Sequence, residues 1–152
     1  MKDVTAKTAT LREAVAEAFI SMPPDVQVLL RERRLEKGDA LEIGRVAGIM
    51  GAKHTPDVIP LCHPLPLTHV EITYTFEETG VRIQSLVKTV AVTGVEMEAL
   101  TAASLTALTL YDMLKPHTHA LEILHVRLLS KKGGKSGDYH YQGVSYDEHH
   151  TS

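Results

Sequence analysis

Asp112 and Lys115 stand three positions apart near the end of a long helical pattern, so their side chains lie about 60° apart around one face of that helix. A carboxylate beside an ammonium is the minimal equipment for moving protons: one group takes the proton and the other tunes it. Lys115 suits the negative end of the helix dipole, and Pro116 stops the helix behind it. Asp112 faces the same partial negative charge and needs a compensating cation. Spacing alone leans toward a solvated Asp–Lys pair worth roughly 0.2–0.5 kcal/mol, and leaves an acid/base pair open. Glu96, at the start of the same helix, lies about 24 Å from Asp112 at ~1.5 Å per residue. A small substrate cannot touch both within one chain. If both serve one site, that site is built between subunits.

Other residue types add chemistry without deciding it. Cys62-His63 matches no zinc-ligand spacing, and adjacent residues seldom oppose each other as a nucleophile–base pair, so a structural histidine is the plainer reading of His63. Lys37, in Glu36-Lys37-Gly38-Asp39, and Lys53, in Ala52-Lys53-His54, read on their own as solvated lysines. The run Ser130-Lys131-Lys132-Gly133-Gly134-Lys135-Ser136-Gly137-Asp138 is more suggestive. Its glycines allow backbone N–H groups to turn inward around an anion, with lysines alongside. It lacks the first glycine and the following helix of a P-loop. His117, His119, His149 and His150 receive no function.

The elements that must position these groups follow from pattern. Thr10 and Glu13 have the spacing of a capping box, and Leu11 to Ile20 is rich in helix formers until Pro23-Pro24, which predicts a first helix. A short helix is expected from Asp25 to about Arg34, and a third starting near Asp39 with Ile43, Val46, Ala47 and Met50 at helical spacing. Residues 51–67 contain Pro56, Pro60, Pro64 and Pro66, which argues against regular structure there. Period-two alternation from Thr68 to Phe76, a turn at Glu77–Gly80 and a second run to Val90 predict a hairpin. Thr93 and Glu96 form another capping box, opening a helix from Gly94 to Lys115 that has no charge between Ala99 and Leu110. Such a helix is expected to be surrounded rather than half-solvated, by its own sheet alone or by its sheet and another subunit. A last strand is expected over Leu121–Ser130, and a loose polar tail over 139–152. With a strand near Val4, the order becomes βα(α)ββαβ. The expected class is α+β: a ferredoxin-like split-βαβ sandwich, an antiparallel sheet with helices on one face, as a single domain over 1–138.

Composition narrows the function. A chain of 152 residues with 43% hydrophobic and 23% charged residues can bury a core without staples. One cysteine excludes an intramolecular disulfide and a multi-thiolate zinc site. A net charge of −3 argues against nucleic acid as the main partner. No apolar run is long enough to span a membrane, and no secretory signal opens the chain, so a cytoplasmic protein is expected.

Taken together, Pro60-Leu61-Cys62-His63-Pro64-Leu65, Thr93-Gly94-Val95-Glu96-Met97-Glu98-Ala99-Leu100, Tyr111-Asp112-Met113-Leu114-Lys115 and Gly133-Gly134-Lys135-Ser136-Gly137-Asp138 resemble the signatures of the cyclic pyranopterin monophosphate synthase family, the molybdenum cofactor biosynthesis protein C family. Asp3-Val4-Thr5-Ala6-Lys7 and Arg12-Glu13-Ala14 fit the family's start, so the resemblance covers about residues 3 to 138. It implies a lyase of molybdenum cofactor biosynthesis that converts (8S)-3',8-cyclo-7,8-dihydroguanosine 5'-triphosphate to cyclic pyranopterin monophosphate and pyrophosphate. It also implies a ferredoxin-like fold and a homohexamer, a trimer of dimers with active sites at the dimer interface. By resemblance, Asp112, Lys115 and Lys37 are the catalytic positions. Leu61, Cys62, His63, Met97, Glu98, Lys53 and Lys135 are expected to bind substrate. No cofactor is required, no metal ligands are expected, and Mg²⁺ can accompany the triphosphate. The rival reading is a non-catalytic nucleotide-binding regulatory module on the same fold, and a third is a purely structural assembly protein.

Overall fold

Alternation, not helix propensity, governs the first element. In the computed structural model, which describes residues 1–143, Thr10–Ser21 is a β-strand (β1) rather than the expected helix. Ala14, Ala16, Ala18 and Ile20 are completely buried on one face of it. Glu17 and Phe19 point to the other face, level with Arg127 and His125 of a neighbouring strand. The helix-forming tendency of Ala, Glu and Leu amounts to less than about 1 kcal/mol per residue. It is overridden because β1 lies between two strands that satisfy its backbone on both sides. The Thr10–Glu13 capping box does not form: the Thr10 hydroxyl instead accepts from Arg12 Nε at 2.8 Å.

The remaining elements are α1 (Pro24–Arg31), α2 (Ala40–Lys53), α3 (Thr55–Val58), β2 (Leu67–Glu77), β3 (Gly80–Ala91), α4 (Glu96–Leu114), β4 (Glu122–Lys132) and β5 (Tyr139–His140). The strands form one antiparallel sheet in the order β2-β3-β1-β4-β5. Its first four strands, with α1 and α2 after β1 and α4 after β3, give the split-βαβ order of a ferredoxin-like sandwich, and the expected α+β class holds. The segment near Val4 adds no strand; Val4 to Lys7 is a turn closed by the Lys7 N–H to the Val4 carbonyl at 3.0 Å. The hairpin is found as predicted, with Glu77 opposite Gly80. Residues 51–67 hold more regular structure than their prolines suggest. Helix α2 runs on to Lys53, and Pro56 sits in the first turn of α3, where a missing N–H costs nothing. Two residues of the expected tail, Tyr139 and His140, pair with β4, while 144–152 (with His149 and His150) lie outside the described residues.

Helix α4 packs across β1, β3 and β4, and α2 packs against α4 and β2. Core alanines on both sides, Ala14, Ala16 and Ala18 from the sheet and Ala99, Ala102, Ala103 and Ala107 from α4, let the helix lie close. Ser85 on β3 donates to the Ala99 carbonyl at 2.6 Å. The α2–α4 crossing is closer still: a Cβ on Gly48 would collide with the Thr106 hydroxyl, which itself donates to the Gly44 carbonyl at 3.1 Å. Because Gly44 meets Leu110 and Gly51 meets Leu105, α2 runs antiparallel to α4. This orientation decides which predicted site residues meet.

Candidate active site

Asp39 accepts from the Glu42 N–H at 3.2 Å and caps the start of α2. That places the Lys37-Gly38-Asp39 turn beside the C-terminal end of α4. There Lys37 Nζ donates to the Asp112 carbonyl at 3.2 Å and lies 3.8 Å from Asp112 Oδ2. Lys115 Nζ reaches Asp112 Oδ1 at 2.8 Å, so one carboxylate is shared by two ammonium groups. The hydrogen bond and charge of Lys115, with the charge of Lys37, hold the Asp112 carboxyl below its ordinary range; Asp112 in turn raises Lys115. All three side chains are exposed to solvent within one chain.

The opposite end of α4 is built differently. Val95 takes the N-cap position and makes no side-chain cap bond, so the predicted Thr93–Glu96 capping box is absent; Thr93 Oγ1 instead donates to the Gly94 carbonyl at 3.4 Å. One turn in, Glu98 is 2% exposed. The Cys62 thiol donates to its Oε2 across 3.9 Å, and Oε1 has no hydrogen-bond partner among the described residues. Burial, with some help from the Glu96 charge, pushes the Glu98 carboxyl up to about 7. Burial likewise raises the Cys62 thiol. His63 Nε2 donates to the Lys2 carbonyl at 2.7 Å, tying the first residues of the chain to this end. Leu61 and Met97 are exposed beside these groups, and Lys53 closes α2 on the same side.

A basic depression of about 500 Å³ lies between the N-terminal segment and the glycine-rich run, lined by Lys7, Thr10, Arg12, Gly134 and Lys135. Gly134 has φ +85°, and a Cβ there would strike the Arg12 guanidinium, so the loop needs glycine to close over that arginine. Arg12 also donates to the Val92 carbonyl at 3.4 Å, which links the depression to the approach of α4. No carboxylate lines it, which suits a phosphate-bearing ligand. Lys7 and Arg12 were missed by the residue-level reading. The helix assigned to Leu11–Ile20 hid Arg12, whereas on a strand two positions before Ala14 it falls at the sheet's end beside the glycine run.

The profile of the MoaC family matches residues 1–134. The chain belongs to the MoaC family. It is 58% identical over 143 residues to the cyclic pyranopterin monophosphate synthase of Corynebacterium glutamicum, covering 93% of this chain and 91% of that protein. Similarity to the proteins of the same name from Brevibacillus brevis (54% over 141 residues, 92% and 88% covered) and Deinococcus radiodurans (52% over 139 residues, 91% and 83%) is nearly as high.

In this MoaC chain the predicted site residues therefore fall into two groups. Lys37, Asp112 and Lys115 meet at one end of α4. Cys62 and Glu98 meet at the other, with Leu61, His63, Met97 and Lys53 on that side and Lys135 in the basic depression. From Glu98 to Asp112 the helix rises about 21 Å at ~1.5 Å per residue. Among the described residues no three His, Cys, Asp or Glu side chains gather as they would around a metal ion, and no helix is long and apolar enough to cross a membrane.

Proposed function

We propose that this chain is a cyclic pyranopterin monophosphate synthase, a lyase of molybdenum cofactor biosynthesis that converts (8S)-3',8-cyclo-7,8-dihydroguanosine 5'-triphosphate to cyclic pyranopterin monophosphate and pyrophosphate. Family membership and the relatives' names support the reading, and the convergence of Lys37 on the Asp112–Lys115 pair carries it at the level of chemistry. Opening and re-closing the purine-derived rings moves protons on and off nitrogen and carbon. A carboxylate flanked by two ammonium groups is equipped for this: Asp112, held ionised, takes a proton, and a lysine gives one back. Closing the cyclic phosphate expels pyrophosphate, whose accumulating charge Lys135, Arg12 and Lys7 can stabilise in the basic depression. Lys53 adds a further cation on that side, while Leu61, Cys62, His63, Met97 and Glu98 hold the ring system. Mg²⁺ can arrive on the triphosphate as part of the substrate, and the reading needs no resident cofactor.

The active unit in this reading is a homohexamer, a trimer of dimers, in which one subunit's Asp112 end faces another's Glu98 end. Two features support it. The groups that must share a substrate are about 21 Å apart in one chain. The outer side of the helical layer exposes Ile43, Val46 and Met50 on α2, and Met97 and Leu108 on α4, apolar side chains that a second copy can cover. A nucleotide-derived substrate supports a cytoplasmic location. The decisive experiment mixes purified protein with the cyclised triphosphate and follows pyrophosphate release. One pyrophosphate per substrate consumed is expected. Saturable binding without release would overturn the enzyme and leave the regulatory binding module in its place.

A further inference from the structure

Helix α1 closes with a Schellman motif. The Arg33 N–H donates to the Leu30 carbonyl at 3.2 Å, and the Arg34 N–H to the Leu29 carbonyl at 3.1 Å. This motif puts the residue after the cap in the left-handed region, where glycine is the default. Here that residue is Arg33, at φ +56°, the one residue other than glycine with positive φ among the described residues. Helix termination alone gives no reason to prefer an arginine there.

The side chain supplies one. The Arg33 guanidinium is ion-paired to Asp39 Oδ2. The other oxygen of Asp39 accepts from the Glu42 N–H and starts α2. The ion pair therefore spans Lys37 and Gly38 like a brace across a bow. Inside that span Gly38 adopts φ +122° and its N–H donates to the Leu35 carbonyl at 3.1 Å. Two neighbouring arginines are engaged elsewhere, Arg34 with Glu32 and Arg45 with Glu42 through Nε at 3.0 Å. Lys37 emerges from the braced turn directly onto Asp112.

We propose that Arg33 is a positioning residue for Lys37: its left-handed backbone aims the guanidinium at Asp39, and that ion pair holds the Lys37-Gly38-Asp39 turn so that Lys37 stays on Asp112. The kinetic consequence rests on the synthase reading, whereas the geometric one does not. Arg33→Gly is the informative variant, because glycine fits the left-handed position and keeps the helix end while deleting the brace. Two readouts separate the possibilities. Acetylation of Lys37, followed by mass spectrometry against Lys132 as an internal standard, should be about 2- to 5-fold faster than in the parent, the range expected for loss of one exposed ion pair. Pyrophosphate release should lose a similar factor in kcat with KM nearly unchanged, and Arg33→Lys should restore most of both. Should Arg33→Gly melt early, Asp39→Asn serves instead, since asparagine still caps α2 but has no charge for Arg33. Parent-like Lys37 labelling in both Arg33→Gly and Asp39→Asn would reduce Arg33 to a helix terminator. A parent protein that releases no pyrophosphate would sink the synthase reading, and the labelling ratio would still decide the role of Arg33.

Discussion

The two ends of α4 handle charge in opposite ways. At the C-terminal end Asp112, Lys115 and Lys37 keep 59%, 58% and 44% of their side-chain surface in contact with water, and Asp112 and Lys115 hold each other charged. At the N-terminal end Glu98 is sealed from water, and burial moves the titration of its carboxyl up to about 7, into the physiological range. An exposed ion cluster is screened and has little power over a reaction until something displaces the water around it. A buried carboxyl without a full set of partners is costly to keep unless a ligand or another surface completes it. Each end thus lacks what the other has, and the rigid helix between them keeps them from completing one another in the same chain.

The largest expected effect comes from breaking the exposed end. Asp112→Asn should lower pyrophosphate release by about 10²–10⁴-fold, the usual range for loss of a positioned acid or base. Its solvent-exposed side chain predicts a stability change within about ±0.5 kcal/mol, checked by thermal melting. A parent-like rate would remove Asp112 from the chemistry. Mixing sharpens the comparison further. Asp112→Asn subunits and His63→Ala subunits, unfolded and refolded together at equal amounts, should regain about a quarter of the parent activity if each site takes one end from each of two chains. Activity no higher than the sum of the two separate variants would mean that both ends serve from the same chain.

How much of this could be read from residues differs between the ends for physical reasons. The hairpin and the start of α2 were legible because period-two alternation and an Asp cap are local signals. So was the Asp112–Lys115 pair, since i,i+3 neighbours on a helix must meet. Lys37 on Asp112 was not, because that contact depends on α2 running antiparallel to α4. Strand β1 was misread because its core face is Ala14, Ala16, Ala18 and Ile20. Alanines beneath a closely packed helix carry the alternation in side chains that favour helices when considered alone. That error also concealed Arg12. The Thr93–Glu96 capping box failed because motif spacing does not fix where a helix starts: the first helical residue is Glu96 itself.

The buried end predicts a pH effect with a definite sign. The Glu98 carboxyl titrates near 7 in the folded protein against 4.5 ordinarily. Between those values the folded protein retains a proton that the unfolded chain has released. This contribution to stability is therefore complete below about pH 4.5 and is lost as pH rises toward 7, amounting to up to about 3 kcal/mol. Glu98→Gln removes the titration. The variant's melting temperature should gain on the parent's between pH 5 and 8, by up to roughly 6–12 °C at 2–4 °C per kcal/mol. A constant difference across that range would show that the buried carboxyl is ionised throughout, and the contrast between the ends would shrink to one of exposure.

A smaller change tests whether the helical layer keeps the two ends in register. Gly48 sits where α2 crosses α4, and a methyl group there must push against the Thr106 hydroxyl and the Ala102 carbonyl, one of them backbone and unable to turn aside. Gly48→Ala should cost about 1–3 kcal/mol by overpacking, even though alanine is the better helix former. The shift would also act at a distance, because α2 carries the Lys37 turn at one end and Lys53 at the other. If the layer moves as a unit, kcat should fall together with the melting temperature while Asp112→Asn remains the deeper lesion. Lost stability with parent-like kcat would instead show that the Lys37 turn is held by its own local contacts, independent of how closely the helices pack.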